Sequence, residues 1–116
     1  MDKLATVYSD ISYKQGILDT VCWCFEVHYD NKIYIKSGKT LKQKSGSDCE
    51  EFLCVRAAVS FCRKELNCSN IVCLTDNSNV INRLDELMGA KVYKIPRNTD
   101  GIKRCHSVCR KLLKCQ

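Results

Sequence analysis

The fold of this chain is decided by residues 47–76, which have the sequence SDCEEFLCVRAAVSFCRKELNCSNIVCLTD. The apolar residues of the first half recur at alternating three- and four-residue steps: Phe52, Val55, Val59, Cys62 and Leu66. That spacing is typical of an amphipathic helix. The capping box Ser47-Asp48-Cys49-Glu50 predicts that the helix begins at Ser47. Residues 71–75 then form a short apolar run that is typical of a buried strand, and Asp76 follows it. The whole stretch therefore predicts a helix that leads into a buried strand.

Strand patterns dominate the chain before this stretch, and strands and helices alternate after it. Three strands are predicted first, at residues 4–10, 20–29 and 32–37, with a tight turn at Asp30-Asn31 between the last two. Three more elements are predicted after Asp76: a helix at 80–88 capped by Gly89, a strand at 91–95 and a final helix marked by Ile102, Cys105, Cys109 and Leu112. The order β-β-β-α-β-α-β-α predicts an α/β domain, a mixed five-stranded sheet with an antiparallel flank and helices packed on it.

Length and composition exclude several classes of protein. The 116 residues suit a single domain, 1–116, and 45% hydrophobic with 28% charged residues exclude a disordered or collagen-like chain. No apolar run approaches the ~20 residues that span a bilayer, and the N-terminus does not resemble a signal peptide. We therefore expect a cytoplasmic protein without membrane association, and we expect a monomer with no protein partner.

Ten cysteines are the compositional oddity. No Cys-x-x-Cys pair exists, so the spacing does not favour zinc, and without an export signal a disulfide framework is not expected. Several cysteines fall on apolar stripes of predicted helices or within predicted strands: Cys22, Cys24, Cys54, Cys62, Cys73, Cys105 and Cys109. Reduced cysteine behaves there as a small hydrophobic residue, and zinc or disulfides are the alternative.

The formal net charge of +6 is unevenly distributed. One cluster precedes the first helix: Lys32, Lys36, Lys39, Lys42 and Lys44. A second occupies the C-terminal residues: Arg97, Lys103, Arg104, Arg110, Lys111 and Lys114. Such clusters suit a polyanion, although a solvated face is the alternative explanation.

Three carboxylates fall at informative places: Asp10 closes the first predicted strand, Glu51 opens the first helix and Asp76 closes the strand after it. In an open α/β sheet, such positions converge on one edge. Gathered carboxylates repel each other unless a cation neutralises them, and hard oxygen ligands favour Mg²⁺ or Mn²⁺. Two such ions ~3.5–4 Å apart support phosphodiester cleavage. Each carboxylate also has a local alternative: a turn residue at Asp10, a charge at a helix N-terminus for Glu51, and a helix N-cap for Asp76.

Four segments resemble, in order, the motifs of the ribonuclease H family (type 1 ribonuclease H-like): YSDIS at 8–12, EFLCVRAAV at 51–59, LTDNS at 74–78 and RCHSVCR at 104–110. The resemblance covers nearly the whole chain in the family's element order. It implies a metal-dependent endoribonuclease that hydrolyses the RNA strand of RNA–DNA hybrids with two Mg²⁺ or Mn²⁺ ions and leaves 5′-phosphate ends. It also implies that Asp10 bridges both ions and that Glu51 and Asp76 complete the coordination of one.

The fourth motif departs from the family, because His106 stands where the family usually has Asp. A neutral imidazole can ligate Mn²⁺ well and suits Mg²⁺ less, and it can also relay a proton. His106 as a bystander in a degenerate enzyme and Asp100 as a substitute carboxylate are the alternatives. Glu50 is the alternative to Glu51, which we prefer because the capping box already occupies Glu50.

Residues beside the matched motifs could bind sugars or phosphates of the hybrid: Ser12, Ser47, Asp48 and Asn77. Local capping is an equally good explanation for Ser47 and Asn77, and Trp23 is predicted to be a core residue. Two other functions remain open from the sequence. One is a ribonuclease H-like nucleic-acid-binding module with weakened catalysis, and the other is a related nuclease that acts on structured DNA.

Overall fold

The structure, a computed structural model, describes residues 3–14, 20–41, 47–76 and 90–114. It contains five strands and two helices in these ranges: β1 (Leu4–Lys14), β2 (Thr20–Tyr29), β3 (Lys32–Leu41), α1 (Ser47–Lys64), β4 (Asn70–Thr75), β5 (Lys91–Lys94) and α2 (Asp100–Lys114). The predicted helix at 80–88 and its cap Gly89 lie outside the described residues. No helix in the described ranges is long and apolar enough to cross a membrane.

One five-stranded sheet has the order β3-β2-β1-β4-β5. β1, β2 and β3 pair antiparallel, whereas β4 pairs parallel with β1 and β5 pairs parallel with β4. This mixed sheet with an antiparallel flank confirms the predicted fold class. The turn at Asp30-Asn31 is also confirmed, since both residues have positive φ (54° and 62°), as a two-residue turn between right-twisted strands requires.

The two sheet faces carry different cores because successive strand residues point to opposite sides. α1 covers the larger core, which includes Val7, Phe25, Phe52 and Val55. α2 covers a smaller one, built from Cys22, Cys24, Cys105, Cys109 and Leu113. Trp23 packs against the α1 core as predicted, stacked on Phe25 with ring centroids 6.1 Å apart.

The described cysteines behave as small hydrophobic residues. All eight cysteines whose side chains the structure describes are buried. Burial raises the pKa of the Cys62 thiol to about 11 and that of Cys73 to about 12. Such thiols stay protonated at neutral pH, which suits packing rather than nucleophilic chemistry.

The predicted end of the first strand is wrong. Asp10 does not close β1, which continues to Lys14 because its second half stays paired with β2. β3 likewise extends beyond residue 37 to Leu41, opposite Thr20. Polar residues alternate with apolar ones in these stretches, so they lack the continuous apolar pattern of a strand that is buried on both faces. Pairing with a single neighbouring strand is enough to extend them. α2 begins at Asp100, ahead of its first apolar residue, and Gly101 packs there against the ring of Tyr8, where a Cβ atom would clash.

Candidate active site

The site lies where β1 and β4 stop pairing. The parallel register between them runs to the pair Tyr8–Leu74, after which β1 continues beside β2 while β4 ends at Thr75. Asp10 and Asp76 both follow this last pair by two residues. The diverging strands leave an opening at the carboxyl end of the parallel pair, which is where open α/β sheets form their sites.

Glu51 enters this opening from the first turns of α1. Its side chain is buried, at 2% exposure. The hydroxyls of Ser9 and Thr75 both donate hydrogen bonds to its Oε1 atom, each at 3.2 Å. The first helix is thereby connected to both β1 and β4 at the place where these strands stop pairing.

Burial and neighbouring negative charges raise the pKa values of Glu51 and Asp10. Burial, followed by the charges of Asp10 and Asp76, raises the pKa of Glu51 to about 7. Burial and the charge of Asp76 also raise the pKa of Asp10, while a hydrogen bond from His106 opposes that rise. The three acidic groups therefore form one interacting cluster, as their sequence positions predict.

Two cationic or proton-bearing side chains flank the cluster. Nδ1 of His106 lies 3.0 Å from Oδ2 of Asp10, and the hydroxyl of Ser12 lies 3.4 Å from the same nitrogen. Arg97, from the segment between β5 and α2, donates from Nε to Oδ2 of Asp76 at 2.8 Å. The fourth motif therefore delivers His106 to the acidic cluster, directly onto Asp10.

The remaining predicted site residues divide into two groups. Asp100 does not join the cluster by any contact described: its charge acts on Arg104, which bonds to Glu26 on β2 rather than to the site. The others lie outside the described part of the chain, either by side chain (Ser47, Asp48 and Glu50) or entirely (Asn77). The choice of Glu51 over Glu50 therefore rests on the burial and contacts of Glu51.

Three residues at the site were missed by sequence reasoning: Ser9, Thr75 and Arg97. Ser9 and Thr75 each precede a predicted acidic residue on a strand, so their side chains point to the opposite face, toward α1. That alternation is a signal that could have identified them as neighbours of Glu51. For Arg97 the signal is weaker, since only its place just before the last helix puts it near this edge.

A divalent cation fits the chemistry of this donor set. Three carboxylates, one buried with its pKa near neutrality, repel one another and gain from a hard cation. Yet within the described ranges no three His, Cys, Asp or Glu side chains already surround a point where an ion could bind. Arg97 and His106 each engage the Oδ2 oxygen of an aspartate, Asp76 and Asp10 respectively, so these two oxygens already have a partner in the protein without bound ions.

A basic surface adjoins the site through α2. Nζ of Lys39 on β3 donates to the carbonyl oxygen of Leu112 at 3.1 Å. This contact brings Lys39 next to the basic end of α2, where Lys111 and Lys114 lie in the last turn. Lys36 lies instead over the ring of Phe61 on α1, with Nζ 5.7 Å from the ring centroid. The contact therefore joins one lysine of the first basic cluster to the second, and Lys42 and Lys44 lie outside the described residues.

Comparison with solved structures places the fold. Type 1 ribonuclease H from Halobacterium salinarum superposes with a TM-score of 0.73 at 15% identity, over 97% of this chain and 99% of that chain. LC11-RNase H1, solved with an RNA/DNA hybrid, gives 0.62 at 9% identity over 94% of this chain and 99% of that one. Endonuclease V of Ciona intestinalis, solved with an inosine-containing DNA, gives 0.56 at 16% identity over 97% of this chain and 56% of that one.

The class of protein follows from these similarities: it is an α/β protein with the ribonuclease H fold. Among the solved structures it is similar to type 1 ribonucleases H over nearly their whole length. Neither a protein-family model nor a curated protein matches the sequence. The predicted fold resemblance is thus confirmed by structure alone.

Proposed function

We propose that this chain is a metal-dependent endoribonuclease that hydrolyses the RNA strand of RNA–DNA hybrids. The observation that carries the proposal is the meeting of Asp10, Glu51, Asp76 and His106 at one sheet edge of a ribonuclease H fold. The three carboxylates would hold two Mg²⁺ or Mn²⁺ ions. Bound there, such ions supply an activated water and stabilise the leaving oxygen in phosphodiester hydrolysis.

His106 is suited to moving a proton beside this cluster. When Nδ1 carries the hydrogen that faces Asp10, Nε2 is left with the lone pair that accepts a proton. The ring is half-exposed, with 51% of its side chain accessible, so Nε2 can exchange protons with water or substrate. The contact from Asp10 orients the ring, as a carboxylate does for a catalytic histidine. We assign His106 to proton transfer in the first instance and to ion binding as the alternative.

Basic and hydroxyl groups around the site suit a nucleic acid. Lys39 on β3 and the lysines in the last turn of α2, Lys111 and Lys114, supply positive charge for phosphates. Ser12 lies beside His106, where it could hydrogen-bond a ribose or phosphate oxygen. These groups position a duplex by its backbone, which agrees with recognition of a hybrid by shape rather than by sequence.

Two other functions are distinguished by experiment. The similarity to an endonuclease V bound to DNA supports a nuclease that acts on structured DNA as the second candidate. A binding module with weakened catalysis is the third, because His106 replaces the acid that the resemblance leads us to expect.

The test uses purified protein with a labelled RNA–DNA hybrid in Mn²⁺, Mg²⁺ or EDTA, in parallel with a DNA duplex that carries an inosine. We expect metal-dependent cleavage of the RNA strand to 5′-phosphate products, abolished by Asp10→Asn. Asp30→Asn is the matched control, since Asp30 lies in the β2–β3 turn and pairs with Lys3. Salt-sensitive binding without cleavage in either metal would leave the binding module, and cleavage of the DNA alone would leave the second candidate.

A further inference from the structure

Ser9 and Thr75 occupy equivalent places on the two central strands. Each immediately precedes an aspartate of the site, and each follows the last residue pair of the parallel register, Tyr8–Leu74. Both are almost fully buried, at 1% and 0% exposure. Burying a hydroxyl group without a hydrogen-bond partner costs free energy that a small hydrophobic residue would not cost. Two buried hydroxyls at these positions therefore need a polar partner.

That partner is one oxygen of one side chain. Both hydroxyls donate to Oε1 of Glu51, at 3.2 Å each. A carboxylate oxygen has two lone pairs, so the two donors occupy its capacity in the plane of the group. Within the described part of the chain, no hydrogen-bond donor is bound to Oε2. The carboxylate is thus held asymmetrically, because both described donors, Ser9 and Thr75, engage the same oxygen.

The asymmetry matters because Glu51 comes from a helix and its aspartate neighbours come from strands. A buried glutamate side chain has three rotatable bonds, and the charges of Asp10 and Asp76 tend to push its carboxylate away. Two hydroxyls fixed on the strands counter that push. Groups that orient a metal ligand in this way commonly affect metal affinity or activity by about 10–100-fold when they are removed.

We propose that Ser9 and Thr75 are positioning residues that hold one oxygen of Glu51 and so present its other oxygen to a divalent cation. This inference rests on the proposed function, since it assigns the hydroxyls a role toward the same cation site. It extends the site from the acidic residues to the residue before each strand aspartate. The two positions act as a pair, because they share a single acceptor atom.

The test compares substitutions that separate the hydroxyl from the shape of the side chain. Thr75→Val keeps the branched shape and removes the hydroxyl, whereas Thr75→Ser keeps the hydroxyl and removes a methyl group. Ser9→Ala removes the other donor. The dissociation constant for Mn²⁺ is measured by titration calorimetry, with kcat and KM on the hybrid as the second readout and urea unfolding in EDTA as the check on folding.

We expect Thr75→Val and Ser9→Ala each to weaken Mn²⁺ binding by about tenfold and to lower kcat with KM little changed. Thr75→Ser should stay within about twofold of the wild type, and the double variant should lose little beyond the worse single one. A Thr75→Val protein that binds Mn²⁺ as the wild type does would overturn the inference while leaving the nuclease intact, and so would Thr75→Ser that binds as weakly as Thr75→Val. A wild-type protein that binds no Mn²⁺ would overturn both.

Discussion

Replacing Glu51 by Gln should stabilise the protein at alkaline pH while removing its proposed activity. Gln has nearly the same shape as a protonated Glu, and its side-chain oxygen can still accept the hydroxyl hydrogen bonds of Ser9 and Thr75. What it lacks is the charge that burial disfavours. The difference in the free energy of unfolding between the variant and the wild type therefore measures how much ionisation of this carboxyl group destabilises the folded protein.

The magnitude follows from the pKa of Glu51. It lies at about 7 in the folded protein, compared with 4.5 for an unperturbed glutamate. Because the folded-state pKa is raised, the unfolded chain ionises first as pH rises above 4.5, and the free energy of unfolding falls until the folded protein ionises as well. A shift of this size corresponds to at most about 3 kcal/mol at pH 8 and almost nothing below pH 4.5.

The assay is urea unfolding followed by circular dichroism at pH 5, 6, 7 and 8 in EDTA, for the wild type and Glu51→Gln. We expect the two proteins to differ little at pH 5 and the variant to be more stable by about 1–3 kcal/mol at pH 8. Glu65→Gln, an exposed site just after α1, is the control and should show no such divergence. With saturating Mn²⁺ the wild type should regain stability and the variant much less.

A Glu51→Gln protein that is no more stable than the wild type at pH 8 would contradict this prediction. That result would mean that Glu51 ionises freely in the folded protein and that its burial is relieved by water or by movement of α1. A constant gain at every pH would also refute it, because a packing effect does not follow the titration of a carboxyl group.

Three further predictions concern single contacts. Arg97→Ala should strengthen Mn²⁺ binding by up to about fivefold, because the exposed guanidinium no longer competes for Asp76, and Arg97→Lys should change it less; titration calorimetry measures both. Glu26→Gln should destabilise the protein by about 1–2 kcal/mol near neutral pH, because Arg104 and His28 lose a buried anion. Burial alone would raise the pKa of Glu26, but hydrogen bonds from Arg104 and His28 hold it below 4.5. Urea unfolding should therefore show that the destabilisation caused by Glu26→Gln disappears as the pH falls below 4.5 and the wild-type carboxyl group becomes protonated. Gly101→Ala should lower stability by about 1–3 kcal/mol in the same assay, because its Cβ atom would collide with the ring of Tyr8.

The sequence predicts the elements better than their ends. The apolar stripe of α1 and the strand before Asp76 are strong local signals, because burial on one side imposes a period. The second half of β1 has no such signal, because it pairs only with β2. Its other neighbour, β4, stops pairing with it at Tyr8–Leu74. Its extent depends on pairing rather than on composition.

The acidic residues of the site could be predicted because the start of α1 and the place where β1 and β4 stop pairing converge, and the fold dictates that convergence. The details at each oxygen could not. Ser9 and Arg97 reach the site through side-chain conformations, and nothing in the spacing of the sequence shows which oxygen of an aspartate or glutamate they contact. The same limit applies to His106, whose approach to Asp10 depends on the rotation of α2 against the sheet.

In the protein without bound ions, the negative charge of the three carboxylates is reduced or balanced in three different ways. The raised pKa of Glu51 reduces its negative charge near neutral pH. Asp10 is in contact with the imidazole of His106, and Asp76 with the guanidinium of Arg97. A divalent cation would replace part of each compensation, because its ligands must be ionised. Binding near pH 6.5 should therefore release a proton that is absent in Glu51→Gln, which calorimetry in buffers of different ionisation enthalpy can measure. The cluster thus links ion binding to pH through the least exposed of its members, which is also the one whose charge the fold tolerates least.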